Sequence, residues 1–163
     1  MLNLVLYQPE IPPNTGNLAR QCVGMNARLH LIGPLGFRIN DKLVQRAGLD
    51  YWPHLVLVQH QNEQMFLDWL GEREPWLVTK HGELRYDQPA YRDEDVLIFG
   101  AETHGLPEAW RTRWAQRCLY IPMLGKVRSY NLANAGALVL AHATLRAGLY
   151  DAHGAGPRRA CLP

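Results

Sequence analysis

The sequence has few cysteines, and they are arranged in no recognisable pattern. Cys22, Cys118 and Cys161 are the only three in 163 residues, and no CxxC pair occurs. This spacing argues against a disulfide framework and a cysteine zinc site and suits a reducing compartment. No basic stretch followed by an apolar run opens the chain, and the longest apolar run, near 135–143, is shorter than the ~20 residues that span a bilayer. We therefore expect a soluble, cytoplasmic protein with no membrane partner.

Several signatures of nucleotide binding and catalysis are also missing. No GxGxxG motif follows the first apolar run, which argues against a Rossmann dinucleotide site or an ordinary Rossmann methyltransferase. The stretch LGKVRS contains the Gly-Lys pair of a P-loop but lacks the upstream glycine and the serine or threonine that follows the lysine. Ser129 is the single serine of the chain and lies in no GxSxG elbow. The seven histidines show no HExxH or similar spacing, so we expect no metal.

Charge gives little information about partners. The net charge is +2, and 20% of the residues are charged. RNA-binding proteins often carry a larger positive excess, so charge by itself does not indicate nucleic acid. The length predicts one domain, which we place at residues 1–150, followed by a loosely ordered tail at residues 151–163.

Short apolar runs alternate with helical patterns along the chain. The runs predict buried strands because their hydrophobicity is unbroken. They lie at residues 2–7, 28–32, 54–59, 76–79, 95–100 and 118–122. The helical patterns lie at residues 15–26, 62–71, 107–116 and 131–147, and residues 33–52 resemble an irregular connection with a short helix. The alternation predicts an α/β fold with a mostly parallel sheet flanked by helices.

The stretch PEIPPNTGNLAR, residues 9–20, joins the first predicted strand to the first predicted helix. Asn14 or Thr15 can serve as the N-cap of that helix, with the prolines making its approach rigid. The core-facing stripe consists of Leu18, Cys22 and Met25. Arg20 lies opposite this stripe, with Asn17 beside it, near the end of the sheet where α/β proteins bind ligands. A solvated surface arginine is the alternative interpretation.

Two further stretches have the composition of ligand-binding loops. In FGAETHGLP, residues 99–107, Gly100 and Gly105 flank Glu102 and allow a ligand to approach the backbone closely, although a tight strand-to-helix turn would use the same residues. In IPMLGKVRSYNLANAGA, residues 121–137, Ser129 can N-cap a helix that opens with Asn131 and Asn134, whose amides are costly to bury without a partner. That helix is rich in small residues, and a subunit interface is one way to bury it.

Taken in order, these stretches resemble the motifs of the SPOUT methyltransferases. The resemblance is closest to the minimal bacterial tRNA (cytidine(34)/uridine(34)-2′-O)-methyltransferases, which act on the wobble nucleotide of leucine tRNAs. It runs from residue 1 to about residue 150 and rests on LYQPEIPPNTGNLAR, RAGLDYW, FGAETHGLP and IPMLGKVRSYNLANA. It implies an α/β fold with a C-terminal trefoil knot, S-adenosyl-L-methionine as methyl donor without a metal, a tRNA anticodon stem-loop as substrate, and an obligate homodimer whose active sites are completed across the interface.

The resemblance also implies roles for individual residues. Cofactor binding is expected from Val78, Gly100, Ile121 and Ser129, with Glu102, Gly105, Met123, Leu132 and Asn134 nearby. The catalytic set is Arg20, Asn14 and Asn17. Because an arginine is hard to deprotonate, we expect Arg20 to hydrogen-bond the ribose 2′-oxygen and an adjacent phosphate rather than to act as a general base. Asn14 and Asn17 would orient Arg20 or contact RNA.

The sequence departs from the family pattern at four positions. Tyr130 replaces a methionine and Ala133 a serine in the third motif, and His104 replaces the commoner arginine or lysine in the second. The family often has a tyrosine in its last helix, where this chain has Ala141 and His142; either His142 takes that role or the role is absent.

Two other functions remain open at this point. One is a related SPOUT enzyme that methylates another tRNA or rRNA position, and the other is a non-catalytic RNA-binding factor with the same fold. The RNA surface must be a local basic patch, for which the candidates are Arg28, Arg38, Lys42, Arg46 and Lys126.

Overall fold

The computed structural model describes residues 1–38, 51–152 and 154, and within them the chain forms one sheet flanked by helices. The sheet has seven strands: β1 (Asn3–Tyr7), β2 (Arg28–Ile32), β3 (Leu57–His60), β4 (Trp76–Val78), β5 (Leu84–Arg85), β6 (Val96–Phe99) and β7 (Cys118–Tyr120). The helices are α1 (Pro12–Gly24), α2 (Glu63–Leu70), α3 (Glu108–Arg113), α4 (Leu132–Arg146) and α5 (Leu149–Ala152). Short 3₁₀ turns lie at Trp52–His54 and Ala115–Arg117.

All strand pairs of the sheet are parallel, in the order β3-β2-β1-β6-β4-β7-β5. The predicted α/β class with a parallel sheet flanked by helices is confirmed. Strand β6 pairs with β1 on one side and β4 on the other, so their carboxyl ends share one edge of the sheet. The expected trefoil knot stays a prediction.

Alternate residues of β1 point to two hydrophobic layers, as the pleat of a strand requires. Leu4 and Leu6 pack with the buried faces of α1 and α4. Val5 and Tyr7 pack with α2 and α3 through a cluster of aromatic side chains. The sheet is therefore covered on both faces, which explains the unbroken hydrophobicity of its strands.

Helices α1 and α4 pack closely through small residues. A Cβ placed on Gly136 would come within 2.4 Å of Leu18 Cδ2. Ala133 and Ala143 of α4 are buried as well. Much of the small-residue composition of α4 is thus explained by packing inside the chain, whereas Leu138 and Leu145 remain exposed on the same helix.

Helix α1 begins three residues earlier than predicted, and the prediction that Asn14 or Thr15 caps it is wrong. Pro12 and Pro13 occupy its first turn, and Ile11 is the N-cap. Proline suits this position because its fixed φ is helical and the missing N–H would have no partner there. Asn14 therefore lies inside the helix, where its buried side chain makes long-range contacts.

The other element boundaries differ from the predictions by a few residues. The first of two larger differences is that β3 begins at Leu57 because a 3₁₀ turn occupies Trp52–His54. The second is the two-residue strand β5, which the sequence did not reveal. Most of the predicted connection at 33–52 and of the tail at 151–163 lies outside the described residues, although Asp151 and Ala152 belong to α5. No helix in the described ranges is long and apolar enough to cross a membrane.

Candidate functional site

A cavity of about 670 Å³ opens at the carboxyl ends of β4, β6 and β7. This is the edge where open α/β sheets bind ligands, and the volume is typical of a site for a small molecule. Nine predicted site residues line it: Asn14, Val78, Gly100, Glu102, Gly105, Ile121, Met123, Ser129 and Leu132. The loops that carry these residues are far apart in the sequence, and they meet because parallel strands end at the same edge of the sheet.

The loop after β6 is folded back on itself, and this fold requires glycine. Ala101 and Gly105 exchange backbone hydrogen bonds of 3.2 and 2.9 Å, and Gly105 has φ +70°. A Cβ on Gly100 would lie 2.3 Å from the carbonyl carbon of Gly105. The backbone of this loop can therefore reach the cavity only with glycine at position 100.

The loop after β4 is held against β7. The N–H of Thr79 donates to Leu119 O at 2.9 Å, and a Cβ on Gly82 would lie 2.4 Å from the backbone of Leu119. This close passage places Thr79, Lys80 and His81 at the cavity. The sequence prediction stopped at Val78 and missed them.

Two glutamates tie the loop before α1 to the loop after β6. The Glu102 carboxylate accepts hydrogen bonds from the backbone N–H of Glu10 at 2.8 Å and of Ile11 at 3.3 Å. In return, the Glu10 carboxylate accepts from the Thr103 N–H at 2.9 Å and the Thr103 hydroxyl at 2.7 Å. These bonds to Thr103, followed by the nearby His104 imidazole, lower the pKa of Glu10. The two loops thus form a reciprocal clasp at the cavity.

Asn14 extends this clasp to the start of α4. Its Nδ2 donates to Glu102 Oε1 at 2.9 Å, and its Oδ1 accepts from Asn131 Nδ2 at 2.9 Å. Asn131 Oδ1 in turn accepts from the N–H groups of Ala133 and Asn134. The N-cap of α4 is therefore Asn131, and the prediction that Ser129 caps this helix is wrong. Ser129 is left exposed at the cavity.

Three predicted site residues do not line the cavity. Asn134 is exposed on the first turn of α4, and only its backbone joins the cap. Asn17 is exposed on α1. Arg20 is exposed as predicted, and its guanidinium lies 5.9 Å from the ring centre of Tyr51. The structure therefore separates the proposed catalytic arginine from the cavity of its own chain.

Three cations at the cavity were not predicted as site residues. Lys80, Arg111 and Arg128 line it, whereas Glu102 is the single carboxylate that lines it among the described residues and already accepts from three donors. The half-buried Arg111 lies on α3 among residues whose spacing gave no sign of a ligand site. For Arg128 a signal was available, because it lies one residue before Ser129 in the predicted cofactor loop.

The remaining residues that the sequence analysis singled out lie both outside and at the cavity. Arg28 begins β2, at the opposite edge of the sheet, and pairs with Glu94 at 2.6 Å. Lys126 is exposed on the loop after β7, and Lys42 and Arg46 lie outside the described residues. His142 packs edge-on against Tyr86 and does not line the cavity. His104 does line it.

Comparison with known proteins shows the family. Residues 1–141 match the SpoU rRNA Methylase family. The chain belongs to that family. It is 43% identical over 141 residues to the tRNA (cytidine(34)-2′-O)-methyltransferase of Methylovorus glucosotrophus (strain SIP3-4), covering 86% of this chain and 92% of the relative.

Solved structures share the fold of this chain. One, described as "Structural insights into the 2-OH methylation of C/U34 on tRNA", has a TM-score of 0.83 and 44% identity, covering 90% of this chain and 95% of the other. The SpoU methyltransferase AviRb of Streptomyces viridochromogenes, in complex with the cofactor AdoMet, has a TM-score of 0.80 and 25% identity, covering 90% of this chain and 57% of the other.

The residues at the cavity fit S-adenosylmethionine. The site combines apolar side chains of Val78, Ile121 and Leu132 with a backbone cradle at Gly100 that a side chain would fill. Apolar walls with a few polar groups are typical of sites for small molecules and cofactors. No group of three or more histidine, cysteine or acidic side chains suited to a metal ion occurs in the described part of the chain.

Proposed function

We propose that this protein transfers a methyl group from S-adenosylmethionine to the ribose 2′-oxygen of nucleotide 34, cytidine or uridine, in tRNA, with leucine isoacceptors as substrates. The observation that carries this proposal is the cavity itself, where the ends of three strands and the start of α4 bring separate motifs of a SpoU methylase together. The similarity to the relatives extends over most of the chain, and their names support position 34.

The cofactor supplies an electrophilic methyl group on a sulfonium ion. The chain holds it through the backbone of the loops at Gly100 and Ile121 and through Ser129, with Met123, Leu132 and Gly105 completing the walls. Glu102 acts at this site by holding the loops in place, because its carboxylate is occupied by protein donors. Asn14 has the same positioning role.

Arg20 aligns the nucleophile. Its guanidinium donates hydrogen bonds to the 2′-oxygen and an adjacent phosphate of the substrate, which fixes the geometry of attack without removing the proton itself. Asn17, exposed three residues earlier on α1, contacts RNA beside it. Cations at the cavity, Lys80, Arg111 and Arg128, attract the phosphates of the anticodon stem-loop.

The protein works as a homodimer in this proposal. Arg20 does not line the cavity of its own chain, so it serves the cavity of the partner subunit. The exposed apolar side chains of Leu124, Val127, Leu138 and Leu145 are candidates for burial between subunits. A tRNA substrate also agrees with the expected cytoplasmic location.

Nucleoside mass spectrometry tests the proposal. Transfer RNA from cells with and without this gene is digested after purification of individual leucine isoacceptors. Loss of 2′-O-methylcytidine or 2′-O-methyluridine at position 34 alone is the expected result. Loss at another tRNA or rRNA position would assign a different substrate, and unchanged RNA together with no S-adenosylmethionine binding in calorimetry would favour a non-catalytic factor.

A further inference from the structure

Tyr130 presents an exposed aromatic ring at the cavity. Phe99 also lines the cavity but is only 2% exposed, whereas Tyr130 is 41% exposed. Among the described residues, the Tyr130 ring makes no stacking or edge contact with another aromatic side chain and no cation contact. A large aromatic surface is therefore available to a ligand at the opening of the site.

The backbone beside Tyr130 is anchored. Asn131 follows it directly and is fixed by hydrogen bonds to Ala133, Asn134 and Asn14. Ser129, which precedes it, lines the same cavity. A ring carried on a fixed backbone loses little conformational freedom on binding, because tyrosine has only two side-chain torsions.

The charges around Tyr130 match a nucleotide. Arg128 lies two residues away and lines the cavity together with Lys80 and Arg111. Cations beside an open aromatic ring provide phosphate contacts and a stacking surface, the combination that binds single-stranded nucleic acid. An apolar protein partner would instead require burial of these charges.

We propose that Tyr130 stacks on the base of the nucleotide whose ribose is methylated. This inference rests on the proposed function and deepens it. Stacking accepts any base because every base has a π-face, so it suits an enzyme that must accept both cytosine and uracil. Tyr130 is thus a substrate-positioning residue that selects an unstacked nucleotide and leaves its identity to other contacts.

A double-mutant cycle between Tyr130 and the base tests this inference. Full-length tRNA is assembled from two synthetic halves with either cytosine or no base at position 34, and its affinity is measured with S-adenosylhomocysteine present. Tyr130→Ala is expected to weaken binding of the normal tRNA by about 5- to 140-fold. It is expected to change binding of the abasic tRNA by less than about 2-fold, because the stacking partner is already absent. Equal losses with both tRNAs would overturn the inference.

Control variants separate stacking from other roles. Tyr130→Phe keeps the ring and should stay within about 2-fold of wild type, whereas Tyr130→Leu should behave as Tyr130→Ala. Met65→Ala removes an exposed apolar side chain of α2 that does not line the cavity, and it should leave the affinity unchanged. A loss in Met65→Ala equal to that in Tyr130→Ala would overturn the inference.

Two further measurements identify competing roles of the ring. Calorimetry with S-adenosylmethionine should give the same affinity for Tyr130→Ala and wild type, and sedimentation should give the same oligomeric state. A weakened cofactor affinity would assign the ring to the cofactor, and a changed oligomeric state would assign it to a subunit interface; either result overturns the inference. If the wild-type protein methylates no tRNA but the double-mutant cycle still shows stacking between Tyr130 and the base, only the proposed function is contradicted.

Discussion

Asn14 joins Glu102 to Asn131 through its two side-chain atoms, with 2.9 Å to each. These residues come from α1, the loop after β6 and the start of α4, so one buried amide fixes three segments of the cavity wall. Both ends of the amide are satisfied, which is the condition under which a buried polar group stabilises a site. Because its carboxylate also accepts from the backbone N–H groups of Glu10 and Ile11, we infer a positioning role for Glu102.

Removing the Glu102 carboxylate should loosen the cavity. Glu102→Ala leaves the N–H groups of Glu10 and Ile11 and the amide of the buried Asn14 without their acceptor. We expect the free energy of unfolding to fall by about 1–3 kcal/mol and the affinity for S-adenosylmethionine to weaken. Urea denaturation and calorimetry measure the two effects. Glu72→Ala, at an exposed glutamate, is the control, and equal behaviour of the two variants would contradict the positioning role.

A methyl group at position 100 should disrupt the cofactor loop. In Gly100→Ala the added carbon meets the backbone of Gly105 at 2.3 Å, and no flexible side chain can yield. We expect a loss of at least about 1–3 kcal/mol in unfolding free energy and a loss of cofactor binding. Gly125→Ala is the matched control because a Cβ there meets nothing within 4 Å. Cofactor affinity equal to wild type in Gly100→Ala would refute the cradle.

The meeting of the cofactor loops could be predicted because it depends on topology. Alternating strands and helices imply a parallel sheet, and parallel strands bring the residues that follow them to one edge. Val78, Gly100 and Ile121 each follow or end a strand, so a correct strand assignment already places them together. The assignment of these three residues, and of Ser129 and Leu132, to the cofactor came from the motif resemblance.

The long-range polar contacts could not be predicted in the same way. Asn14 and Asn131 are 117 residues apart, and local sequence only indicates that each amide can cap a helix. Two prolines moved the start of α1 to Pro12, and this shift turned Asn14 from a capping candidate into a buried link. Arg111 could not be identified as a site residue for another reason. Hydrophobic periodicity identifies the core face of a helix and gives no information about a neighbouring cavity.

Acid should destabilise the protein through a buried histidine pair. His30 Nδ1 lies 3.1 Å from His60 Nε2, and His30 Nε2 lies 3.2 Å from Asn3 Oδ1. Because Asn3 Nδ2 donates to the Glu94 carbonyl, Asn3 Oδ1 is the acceptor, and His30 accepts from His60. Burial, followed by the charges of His60, Arg28 and Arg73, lowers the pKa of His30 from 6.5 to about 3.

The sign of the pH effect follows from that lowered pKa. The folded state keeps His30 neutral, whereas the unfolded chain takes up a proton below pH 6.5, so stability falls as the pH falls from 6.5 toward 3. We expect a loss of about 2 kcal/mol between pH 6.5 and about pH 5 from this residue, measured by urea denaturation. His30→Phe should flatten this dependence, and His54→Gln, at an exposed histidine, should retain it. An unchanged slope in His30→Phe would contradict the assignment.

Replacing Arg20 should separate methyl transfer from cofactor binding. Arg20→Ala is expected to lose methylation by at least about 100-fold, since the substrate hydroxyl loses its orienting donor. The affinity for S-adenosylmethionine should stay within about 2-fold of wild type, because in the proposed mechanism Arg20 contacts the RNA and not the cofactor. Arg92→Ala, at an exposed arginine, is the control. Methylation at the wild-type rate in Arg20→Ala would remove this residue from the mechanism.

Mixing two inactive variants tests whether Arg20 acts on the partner's cavity. Arg20→Ala keeps the cavity, and Gly100→Ala keeps the arginine, so a heterodimer contains one complete site if the site is shared between subunits. Random assortment then restores about a quarter of the wild-type activity, because half of the dimers are mixed and each has one working site. Sites complete within one chain would give no recovery. Co-expression with two affinity tags isolates the heterodimer, and its expected activity is about half that of wild type. A fully inactive heterodimer that still binds one cofactor per dimer would place Arg20 in the site of its own subunit.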